Sequence, residues 1–225
     1  MDRYLDQRGV LTAGGVSQIV EKFYSGSKSN VYEFEIPAGT VGIGQNAFAG
    51  FSNLESVVIP EGVIYIGRSA FERCENLAEV IFPTTLRYID DRAFFNCFAL
   101  EMLDLPDEEL ELISTAAFAH CHSLRKIVIP GCVKTVEAEA FKDCRNVRKV
   151  VINEGVEFLG KRAFGDIFRL WHFSWRNLPS TLVDDSYRKN AFLGSTCSPN
   201  AGFFRHPIKK IRRYIGREWR PYWWS

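Results

Sequence analysis

One dipeptide constrains this chain more than anything else in it. Ala-Phe stands at Ala47-Phe48, Ala70-Phe71, Ala93-Phe94, Ala117-Phe118, Ala140-Phe141 and Ala163-Phe164, at steps of 23, 23, 24, 23 and 23 residues. A seventh pair, Ala191-Phe192, follows after 28. A fixed period of this length marks a stacked array, in which each unit is too short to bury its own apolar face and must lean on its neighbours. Other columns keep the step. Seven residues after each Ala come Leu54, Leu77, Leu100, Leu124, Val147 and Leu170. Ten after come Val57, Val80, Leu103, Ile127, Val150 and Phe173, and twelve after come Ile59, Phe82, Leu105, Ile129, Ile152 and Trp175.

The physics of one unit follows from these columns. The Val-x-Ile alternation has the period of a short strand. Pro60, Pro83, Pro106 and Pro130 then end strand pairing, because proline lacks the N–H a ladder needs. A second apolar pair follows, as in Val63 and Ile66. Three residues before Ala stand Gly44, Gly67, Asp90, Ser114 and Gly160, types suited to a turn or a helix cap; Glu137 fits that place less well. The Ala-Phe segment is expected to make a short helical turn. The expected architecture is an α/β right-handed solenoid of six clear repeats of about 23 residues, with short strands on one face and short helical turns on the other.

Units such as IPEGVIYIGRSAFERCENLAEV, from Ile59 to Val80, resemble the BspA-type leucine-rich repeat of bacterial surface proteins and many protist proteins. The resemblance covers roughly residues 36–175. It implies a leucine-rich-repeat solenoid with a binding or adhesion role, and it brings no catalytic residues. Residues 1–35 then read as an N-terminal cap, with the strand-like run Ser29–Ile36 closing the open end. Residues 176–225 read as a degenerate repeat, keeping Leu178-Pro179 and Ala191-Phe192, followed by a basic, aromatic cap or tail.

Charge is unevenly placed. The chain carries a formal +1, but its last 25 residues carry +6, leaving −5 on the rest. The N-terminus has no apolar signal core, and no stretch approaches the roughly 18 apolar residues of a membrane span. The expectation is a cytoplasmic protein; an adhesin-like protein exported without a recognisable signal is an alternative.

Of the six cysteines, Cys74, Cys97, Cys121 and Cys144 each lie four residues after a repeat Ala, where Phe51 and Ile167 stand in the outer units. A column that accepts Phe and Ile is apolar core, so these thiols are expected to be buried and inert. Cys132 and Cys197 have no such assignment. His120 and His122 flank Cys121, but residues close in sequence are expected to point different ways and no CxxC pair exists. No metal and no cofactor are therefore expected.

If the core columns face inward, alternate strand residues face out. One outward column is Ser56, Glu79, Met102, Lys126, Lys149 and His172; the other is Val58, Ile81, Asp104, Val128, Val151 and Ser174. Beside them run Glu55, Ala78, Glu101, Arg125, Arg148 and Trp171. An aliphatic stripe within a field that changes from acidic to basic suits docking of an extended protein segment. It is equally what strand propensity and solubility alone would place there.

The tail is the second candidate surface. Ile208, Ile211, Ile215 and Trp219 recur at helical spacing, beside Lys209, Lys210, Arg212, Arg213 and Arg217, and Trp223 and Trp224 nearly close the chain. Such a segment can cap the last repeat, lie on an anionic membrane, occupy a protein partner's groove, or grip a nucleic acid or other anionic polymer. No Walker loop, dinucleotide fingerprint, HExxH or GxSxG occurs, and the four histidines do not suggest one cleft. The first reading is a non-catalytic protein-binding scaffold with a protein partner.

Overall fold

The computed structural model describes residues 4–175 and 191–195. Its rungs run β1 (Val10–Leu11), α1 (Ala13–Phe23), β2 (Glu33–Glu35), β3 (Gly42–Ile43), β4 (Ser56–Val58), β5 (Tyr65–Ile66) and β6 (Glu79–Ile81). They continue as β7 (Tyr88–Ile89), β8 (Leu112–Ile113), β9 (Lys126–Ile129), β10 (Thr135–Val136), β11 (Lys149–Ile152), β12 (Phe158–Leu159) and β13 (His172–Trp175). Every pairing between these strands is parallel and joins one rung to the next. The chain is a solenoid, as the period requires.

The two apolar pairs of each unit have different fates. The second pair builds the longer ladder, seven strands in the order β1-β3-β5-β7-β8-β10-β12. Its inward column is Leu11, Ile43, Ile66, Ile89, Ile113, Val136 and Leu159, all buried. The Val-x-Ile strands form two separate sheets, β2-β4-β6 and β9-β11-β13. The rung between them, Glu101–Leu105, forms no strand among the described residues. There Leu103-Asp104-Leu105 replaces the β-branched residues of its neighbours, and Asp is a poor strand former. The same unit holds its one extra residue between Pro106 and Ala117. Glu101 N still donates to Ala78 O, at 3.4 Å.

The Ala-Phe segments are hydrogen-bonded turns rather than regular helix. Each contains two residues in the left-handed region. One column, just before Ala, is Asn46, Ser69, Arg92, Ala116, Glu139 and Arg162, with φ from 53° to 59°. The other, three after Ala, is Gly50, Arg73, Asn96, His120, Asp143, Asp166 and Gly194. Alternating handedness turns successive N–H groups toward the next rung. Phe48, Phe71, Phe94, Phe118, Phe141 and Phe164 each donate N–H to the Ala carbonyl one rung on, at 2.7 to 2.8 Å. These contacts make a third rung-to-rung ladder, which satisfies backbone groups that a core-facing turn would otherwise strand.

Inside, the Phe rings stack in one column from Phe48 to Phe192, with centroids 4.9 to 5.3 Å apart and planes within 14°. Beside it runs the cysteine column, and Cys74, Cys97, Cys121 and Cys144 are buried free thiols. They do more than fill space. Each Sγ donates to the Phe carbonyl of the preceding rung (Phe48, Phe71, Phe94 and Phe118) at 3.2 to 3.3 Å. In the seventh unit Ser195 holds the same place, and its hydroxyl donates to Phe164 O at 2.7 Å.

Burial pushes the Cys74 thiol up to about 12 and raises those of Cys97, Cys121 and Cys144 as well. Burial therefore disfavours the thiolate, the reactive form, at all four. Peptide-level mass spectrometry after brief alkylation of the native protein should find Cys132 modified and these four untouched until denaturant is added. Cys132 is only half-buried, with its Sγ 3.6 Å from Pro106 O. Rapid native labelling of Cys97 or Cys121 would contradict the packing.

The first rung is closed by α1. Thr12 caps it, its Oγ1 accepting from Gly15 N at 3.2 Å, and Val16, Ile19 and Val20 join the core while Phe23 stays exposed. The Tyr24 ring stacks on Phe34 at 5.9 Å. The strand-like run Ser29–Ile36 contains β2, which pairs with β4 in register Glu33 to Ser56. No helix among the described residues is long and apolar enough to cross a membrane.

Candidate functional site

The strand face presents the residues expected of it. Glu79, Met102, Lys126, Lys149 and His172 are exposed and Ser56 is half-buried. In the second column Val58, Ile81 and Asp104 are exposed, whereas Val128, Val151 and Ser174 are half-buried. The apolar strip is thus confined to the N-terminal half, with Val58 57%, Ile81 50% and Met102 65% exposed. Wider flanking side chains in the C-terminal sheet account for the difference: Lys126, Lys149 and Arg148 stand beside Val128 and Val151.

The break in the sheet and the change of charge coincide. The N-terminal sheet carries Glu33, Glu35 and Glu79 outward, with Glu55 beside them. The C-terminal sheet pairs Lys126 with Lys149, and Lys149 with His172, in direct register. Neighbouring strands lie about 4.8 Å apart, so the like charges of Lys126 and Lys149 are stacked at close range. Arg125 reaches across the break to Glu101 at 3.2 Å, an exposed pair of little weight. Arg148 lies over the Trp171 ring, 5.9 Å from its centroid. Among the described residues no ion pair is formed by Lys126, Lys149 or Arg148.

On the turn side the structure overturns the expectation that His120 and His122 diverge. Two positions apart, with the buried Cys121 between them, both imidazoles converge on Asp143. His120 Nδ1 lies 2.9 Å and His122 Nε2 3.3 Å from the same Asp143 Oδ2. Asp143 stands 23 residues after His120, the same column one rung later, and adding one period would have found it in the sequence. Arg145 closes the group, with Nε donating to Oδ1 at 2.8 Å and its terminal nitrogen to Oδ2 at 3.0 Å. Burial pushes the Asp143 carboxyl up, but the hydrogen bonds from Arg145, His120 and His122 outweigh it and hold it below the usual range.

The tail residues Lys209, Lys210, Arg212, Arg213, Arg217, Trp219, Trp223 and Trp224 lie outside the described residues, as do Cys197 and His206.

Parallel rungs of about 23 residues, one continuous core and Leu, Phe and Ile columns in register define a leucine-rich-repeat solenoid. The chain belongs to the BspA-type leucine-rich repeat family, whose model matches it in six copies over residues 17–130, 41–171 and 111–201. Proteins of this family and fold are typically non-enzymatic scaffolds, and leucine-rich-repeat domains generally bind proteins. Among solved structures it is similar to a leucine-rich cell surface protein of Faecalibacterium prausnitzii, with 30% identity and a TM-score of 0.51 over 54% of this chain. It spans only 32% of that protein's chain. A leucine-rich repeat protein of T. pallidum is 20% identical, with a TM-score of 0.52 and 86% of both chains covered, which is a likeness of fold. No curated protein matches the chain.

Proposed function

We propose that the chain is a non-catalytic protein-binding module whose strand face docks a partner of opposite charge polarity. The observation that carries this is the column of stacked, unpaired cations on the C-terminal sheet. Lys126 and Lys149 in register repel one another, and no carboxylate among the described residues relieves them. A partner carboxylate between them would. At the other end of the face, Val58, Ile81 and Met102 offer exposed apolar area beside Glu55 and Glu79. A partner acidic at one end and apolar or basic at the other would have its direction fixed by the charges.

The test is affinity capture from source-cell extract with three baits: wild type, Lys126→Glu/Arg148→Glu/Lys149→Glu, and Val58→Glu/Ile81→Glu. All five positions are exposed on the strand face, so the baits should fold alike by circular dichroism. The expected result is a protein held by wild type and weakened about tenfold or more on both variants. An identical set on all three baits would remove the strand face from consideration.

Display at the cell surface is a second reading, favoured by the 30% identity to the F. prausnitzii surface protein. Labelling intact cells with a membrane-impermeant reagent decides it. Labelled chain supports display, and chain labelled only after lysis excludes it.

A further inference from the structure

We infer that His120, His122 and Asp143 form a binding site for a borderline divalent transition-metal cation, of which Zn2+ is the natural probe. Two imidazole nitrogens and a carboxylate oxygen are the donor set such ions prefer over Mg2+ or Ca2+. Among the described residues this is the group of three whose donor atoms all lie within 4.8 Å of one another. In a tetrahedral site with bonds of about 2.0 Å, donor atoms stand about 3.3 Å apart. His122 Nε2 and Asp143 Oδ2 are already 3.3 Å apart, and His120 Nδ1 is 2.9 Å from the same oxygen. Only tenths of an ångström separate those two edges from coordination geometry.

The surroundings hold the donors in place. His120 N donates to Lys142 O at 2.8 Å and Asp143 N to Gly165 O at 2.9 Å, so both backbones belong to the turn ladder. The His122 ring stacks on Phe98, centroids 5.1 Å apart and planes at 18°, and the His120 ring meets Phe95 edge-on at 5.1 Å. Asp143 is 7% exposed, while the imidazoles are 31% and 32% exposed, so the cluster has a buried anchor and an open side. Arg145 supplies what ligating carboxylates usually have, a hydrogen bond from a second group: its Nε holds Oδ1 and leaves Oδ2 to the metal. Its terminal nitrogen on Oδ2 competes, but that side chain is 58% exposed and free to withdraw. No other described rung repeats the set, since the corresponding pairs are Gly50 with Ser52, Arg73 with Glu75, Asn96 with Phe98, Asp143 with Arg145 and Asp166 with Phe168. Three protein donors leave a fourth position for water or for a donor from a bound partner.

The experiment titrates Zn2+ into chelator-stripped full-length protein against a chromophoric chelator, comparing wild type, His120→Ala, His122→Ala and, as a control on an unrelated imidazole, His172→Ala. Thermal melts with and without Zn2+ accompany each titration. The expected result is one Zn2+ per chain in wild type and in His172→Ala, with a raised melting temperature. His120→Ala and His122→Ala should each weaken binding by more than the roughly 10- to 100-fold that loss of a mere supporting group costs. Both imidazoles lie outside the core, so these variants should melt near wild type without metal. Folded wild type that takes up no Zn2+, or binding that survives either substitution unchanged, overturns the inference and leaves the cluster as a surface ion-pair network.

Discussion

Phe118→Ala should destabilise the protein by about 3–5 kcal/mol, measured as the change in unfolding free energy in urea. Phe118 is fully buried in the middle of the ring column, stacked on Phe94 at 5.1 Å and on Phe141 at 5.3 Å. Truncation removes the transfer free energy of the ring and leaves a cavity that rungs pinned by three ladders cannot close. It also deletes two ring contacts, each about 0.5–1.5 kcal/mol beyond area burial. Stability in a stacked array is a sum of local terms and nearest-neighbour interfaces, so a lesion at the centre weakens two interfaces at once. A loss below about 1 kcal/mol would mean that the column is not the mechanical core of the fold.

Gly155→Ala should cost about 2–4 kcal/mol by the same measurement, from two independent penalties. Gly155 has φ +106°, a conformation that side chains rarely adopt, and a Cβ there would stand 2.0 Å from Gly131 O on the preceding rung. The obstacle is backbone, so the rung itself would have to move. Gly50→Asn is the control. Gly50 also has positive φ, +75°, but a Cβ would meet nothing within 4 Å. Its column already holds Asn96 at φ 62° two rungs on, so Gly50→Asn should change stability by less than about 1 kcal/mol. Equal costs at the two sites would show that conformation alone matters and that the close approach of residues 131 and 155 does not.

Much of the fold was legible because period and burial are coupled. Every residue of the Ala column, the Phe column and the Leu/Val column seven after Ala is buried up to Leu170, and the outward columns followed from strand alternation alone. The four cysteines were placed in the core by the company they keep, Phe51 and Ile167. Their hydrogen bonds were not foreseeable, because a thiol's donor role depends on which carbonyl the neighbouring rung leaves within reach. The broken rung at Glu101–Leu105 had a sequence signal, Asp104 among aliphatics, that the repeat's regularity masked. Helix α1 was also signalled, by Thr12 and the spacing of Val16, Ile19, Val20 and Phe23, but Gly14 and Gly15 at its start speak against a helix. The histidine cluster is hidden from a local reading because its third member, Asp143, lies one full period after His120. Left-handed geometry leaves no mark in residue type at Arg92, whereas Gly50, Asn96, His120, Asp143, Asp166 and Gly194 in the other column are types that tolerate it.

The three ladders have a mechanical consequence. All of them run from rung to rung, so tension applied along the stack loads the hydrogen bonds end-on and one rung at a time. Each rung that lets go trades about 5 Å of stack height for 23 residues of extended chain, a gain of roughly 70 Å. A body built this way lengthens under load in uniform increments and can spread a pull over distance before its core is lost.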